Sequence, residues 1–222
     1  MPRIDGTLAT PLADRRRGHE MIRLMVVCNT VDSLYRPLQL ALDEGYAIEF
    51  GHAAARGDRV VMLALLVNAL KEAVDAFEQV IDLAEELFAY TRGEEIYLKF
   101  QTLKAEIDHK NPATIYCRLI QPIPENIAIH WDHSAAETSL TAMIGARGVL
   151  QTHHESERGR TVSRFPLADD LYQRTMLGPA TAPQIRAAAK EIGEFTELFK
   201  LVTDHLIAMF LRALGCQPVE GE

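Results

Sequence analysis

The stretch DRVVMLALLVNALKEAVDAFEQVIDLAEELF, residues 58–88, decides the fold. Leu63, Leu66, Leu70, Val74, Phe77, Ile81, Ala84 and Phe88 recur at spacings of three and four, so over about eight turns they share one face of an α-helix. Asp58 stands where an N-cap carboxylate can accept backbone N–H groups. The positions between the apolar ones are too polar for a membrane span, and an apolar stripe of this length is buried in water only against other helices. The spine of a helical bundle is therefore predicted. Glu72, Asp75, Glu78, Asp82, Glu85 and Glu86 lie mainly off the stripe and are expected on a solvated face.

The flanking segments supply partners. From Arg15 to near Gly45, Met21, Leu24, Cys28, Val31, Leu34, Tyr35 and Leu38 repeat the helical spacing. A last helix from about Pro183 to Leu214 carries Ile192, Phe195, Phe199, Val202, Leu206 and Met209, a seam that wants a long antiparallel partner, with residues 58–88 the obvious one, or a second subunit. Shorter helices are predicted over Glu94–Asp108, after Asn111-Pro112, where Asn caps and Pro occupies the first turn, and after the capping box of Ser134 and Glu137. Val149–Phe165 mixes Thr, Val and turn residues and reads as a hairpin or irregular excursion. The expectation is an all-α fold, a helical bundle with two long helices and a small hairpin or irregular insertion at about 149–166. It forms a single domain over 15–215, with a flexible arm at 1–14 and a flexible tail at 216–222.

With 222 residues, 48% of them hydrophobic and 24% charged, the chain is long enough for one well-buried core. A formal net charge of −8 argues against a broad basic surface for duplex DNA, whose phosphates must be neutralised by Lys and Arg. Cys28, Cys117 and Cys216 are odd in number and far apart, which suggests reduced thiols rather than a disulfide framework. The N-terminal segment lacks the apolar core of a signal peptide, so a cytoplasmic protein without a membrane span is expected.

The chemistry concentrates in IYCRLIQPIPENIAIHWDHSAAE, residues 115–137, where Pro122 and Pro124 interrupt a helix and Asn126, His130, Trp131, Asp132 and His133 follow closely. His130 and His133 with His153 and His154 match no zinc spacing, and no metal or cofactor is expected. G-x-S-x-G, Walker A and G-x-G-x-x-G sequences do not occur, which removes support for nucleophile-elbow hydrolases, P-loop enzymes and Rossmann dinucleotide sites.

The run Asn126-Ile-Ala-Ile-His130-Trp-Asp132 resembles the Asn-x-x-x-His-aromatic-Asp segment of the HEPN superfamily, helical bundles with two long and two shorter helices. Phe165-Pro-Leu-Ala-Asp-Asp-Leu-Tyr172, leading toward the last helix, is similar to a segment of some HEPN-like proteins. The resemblance implies a metal-independent ribonuclease site, commonly shared across a homodimer, in which an Arg, its polar neighbour and a His four to six residues beyond the Arg act together. The polar and His positions fall on Asn126 and His130, but Glu125 occupies the Arg position. An arginine there would stabilise charge developing on phosphate while His130 moves a proton, whereas a carboxylate repels the same phosphate.

His130 and Asn126 are thus the candidate catalytic residues, with Asp132, Arg118 and Arg147 as candidate binding residues. Arg147 and His153 also fit an Arg-x5-His spacing, but Gly148 weakens any rigid helix across them. Three readings stay open. The first is a non-catalytic or weakly catalytic HEPN-like module, a homodimer in the manner the resemblance implies, engaging RNA, a nucleotide or a protein partner. The others are a ribonuclease using His130 and a purely structural protein in which His130 is a buried helix-end histidine.

Overall fold

The computed structural model describes residues 15–42, 52–122 and 182–215. Among them no strand occurs and 87% are helical, so the fold is the all-α bundle that the periodicity predicts. The order is α1 (Arg15–Leu42), α2 (His52–Gln79), α3 (Ile81–Phe88) with a 3₁₀ turn at Ala89–Thr91, α4 (Glu95–Glu106), a π-helical turn at Tyr116–Ile120 and α5 (Ala182–Ala213). The expected pair of long helices, α2 and α5 with 28 and 32 residues, is joined by an α1 of 28 residues. The arm, the tail, the Ser134–Glu137 box and the insertion at 149–166 lie outside the described residues.

Two boundaries depart from expectation for local reasons. α2 begins at His52, so Asp58 sits inside the helix and is not its N-cap. Ala53, Ala54 and Ala55 carry the helix backwards, alanine being the best helix former, and outweigh the cost of about 1 kcal/mol at Gly57. The predicted eight-turn spine also breaks once. Val80 leaves helical geometry at φ −110° and ψ 11°, its N–H donates to Phe77 O at 3.0 Å, and α3 restarts from Ile81. Val80 and Ile81 are adjacent β-branched residues, whose stiff side chains crowd the preceding turn. Beyond the step the buried face is Leu83, Ala84, Leu87 and Phe88, and Ile81 is only half-buried.

The described residues divide into two compact units. The first contains residues 15–31, 69–118 and 193–215, and the second 32–42, 52–68, 119–122 and 182–192. The first is organised on phenylalanines. Phe77 meets Phe100 and Phe199 edge to face at 6.5 and 5.9 Å, and Phe88 stacks on Phe100 at 4.4 Å. All four rings are fully buried. They join α2, α3, α4 and α5 with the geometry aromatic quadrupoles favour. The predicted partnership of the 58–88 spine with the last helix holds, but its direction differs. Phe77 meets Phe199 and Phe88 meets His205, so the contacts advance the same way along both segments.

α1 closes this unit through Met21, Leu24, Cys28 and Val31, all buried. Arg17 makes a two-pronged ion pair with Glu86 at 3.2 and 3.4 Å, and Arg23 reaches Glu72 at 3.5 Å, which runs α1 antiparallel to α2 and α3. In the second unit Tyr35, Leu38, Val60, Leu63, Leu66, Val67, Ile120 and Ile192 are buried, and Arg36 pairs with Asp32 one turn earlier at 2.7 Å.

Among the described residues no helix is long and apolar enough to cross a membrane.

Candidate functional site

α4 ends at Glu106, and the chain turns sharply through Ile107–Thr114 before the π-helical turn. The turn is built by side chains that satisfy the backbone groups a helix end leaves open. Asp108 Oδ1 accepts the Lys110 N–H at 2.9 Å and Asn111 Oδ1 the Ala113 N–H at 3.0 Å. Pro112 lies in a turn, however, and the helix starts only at Ile115, so the cap expected at Asn111 falls instead to Thr114, whose Oγ1 accepts the Cys117 N–H at 3.2 Å. Glu106 Oε2 reaches across to the Ile115 N–H at 3.0 Å and ties the end of α4 to the start of the next turn. The helix expected there is a π-helix over Tyr116–Ile120, a wider winding often found at functional sites.

This turn holds His109. A carboxylate only accepts, so the His109 Nε2–H donates to Glu78 Oε1 at 2.7 Å. Tyr116, buried, meets the imidazole edge to face at 4.5 Å. Acid and ring together fix a half-exposed histidine whose flanking backbone is itself pinned.

Around it opens a cleft of about 550 Å³. Glu78 and Ile81 line it from the α2–α3 step, Gln101, Lys104 and Ala105 from α4, and Ile107–Lys110 from the turn. Lys104 pairs with Glu85 and lies 5.6 Å from the centre of the Phe100 ring. Glu72, Glu78, Glu85 and Glu86, read from the sequence as a solvated face, each hold a basic group of another element.

Of the candidate residues from the sequence, Asn126, His130, Asp132 and Arg147 lie outside the described residues. Arg118 is described: it sits in the π-helical turn, exposed, and its Nε donates to Ala113 O at 3.0 Å. His109 carried no role in the sequence reading. Its partner lies 31 residues earlier on another helix, and neither residue sits in a recognisable spacing.

Elsewhere, Cys28 and His205 have shifted pKa values. Burial pushes the Cys28 thiol up to about 11, partly opposed by a hydrogen bond with Thr203, so it is protonated and unreactive at neutral pH. His205 stacks on Phe88 at 6.0 Å, and burial, then the nearby Arg212 charge, lower its pKa while Glu94 acts the other way. Among the described residues no group of three His, Cys, Asp or Glu side chains is placed to hold a metal ion.

No protein-family model, curated protein or solved structure matches the chain.

Proposed function

We propose that the chain is a non-catalytic or at most weakly catalytic, intracellular HEPN-like helical module that self-associates and engages RNA, a nucleotide or a protein partner. The observation that carries this reading is Glu125-Asn126 followed by His130: two positions of the family's site are present and the cationic one is replaced by a carboxylate. A helical bundle is the scaffold such a site requires, and the described residues form one. Losing the arginine removes preorganised stabilisation of phosphate charge, which is commonly the largest contribution to catalysis of this kind.

The rival reading, a ribonuclease using His130, parts from this one in a single assay. Single-stranded RNA is incubated with the full chain in chelator, beside a His130→Ala variant. The proposed module leaves the RNA intact, or cleaves it weakly and equally in both proteins. Metal-independent cleavage that disappears in His130→Ala overturns the proposal.

A further inference from the structure

We draw no further inference here: the strongest candidate, the open cleft at the turn after α4 where Glu78 holds His109, is lined by exposed donors and exposed carboxylates that water serves equally well, so nothing in the structure selects a ligand for it.

Discussion

Replacing Phe100 with alanine tests the architecture of the first unit at its most connected ring. Phe100 is 1% exposed, stacks on Phe88 at 4.4 Å, meets Phe77 at 6.5 Å and lies under the Lys104 ammonium. Truncating a buried phenylalanine costs about 3–5 kcal/mol through lost transfer free energy and the cavity left behind. Rigid neighbours push the value towards the upper half, because Phe77 and Phe88 belong to two other helical segments, and Phe77 is itself held against Phe199, so they cannot both collapse into the void. We expect about 4 kcal/mol, a large part of the ~5–15 kcal/mol that holds a domain together. Urea unfolding followed by circular dichroism measures it: with a slope of about 2–3 kcal/mol/M, the midpoint should fall by about 1.5 M. Leu98→Ala, 64% exposed on the same helix, serves as control and should change stability by about 0.5 kcal/mol or less. A Phe100→Ala variant within about 1 kcal/mol of wild type would refute the packing described for α2–α5.

Three further outcomes follow from local chemistry. The Cys28 thiol is raised from 9.0 to about 11, so the folded chain keeps a proton that the unfolded chain loses first; stability should fall as pH rises from 9 to 11, and Cys28→Ala should flatten that decline in unfolding midpoints measured across the range. His205 is lowered below 6.5, first by burial and then by Arg212; NMR titration of its ring should place it there, and Arg212→Ala should move it upwards. The same depression means that the unfolded state takes up the proton first as pH falls through the ordinary histidine range, so this group's contribution to stability is lost on acidification. Asn111→Ala removes the acceptor for the Ala113 N–H in the turn and should cost about 0.5–1 kcal/mol in chemical denaturation, without loss of helix content.

The parts of the fold legible in the sequence are those written in local periodicity. The stripes on α1, α2 and α5 appear at spacings that only a helix explains, whereas Asn111-Pro112 marks a turn rather than the helix start, which falls at Thr114-Ile115. Features that depend on competition between neighbouring preferences were less visible. The start at His52 turns on three alanines outweighing a glycine, and the break at Val80 leaves the apolar spacing almost undisturbed, so Ile81 reads as core although it borders the cleft. Long-range pairing was not legible at all. Glu78 and His109 look like ordinary surface residues until the turn after α4 brings them within 2.7 Å, and Arg17, Arg23 and Lys104 find their acids only once the helices pack. The candidate site around His130 remains a reading of residue types and their order, with Arg118 its one described member.

If Glu125 silences the site proposed around Asn126 and His130, restoring the missing cation should revive it. In a metal-free cleavage assay on single-stranded RNA, wild type should be inactive or nearly so. Glu125→Arg should raise the rate by about 10²–10³, the effect of one preorganised charge-stabilising group, and adding His130→Ala should abolish the gain. A Glu125→Arg protein no more active than wild type, or a wild type whose own cleavage depends on His130, would rule out a site silenced by Glu125.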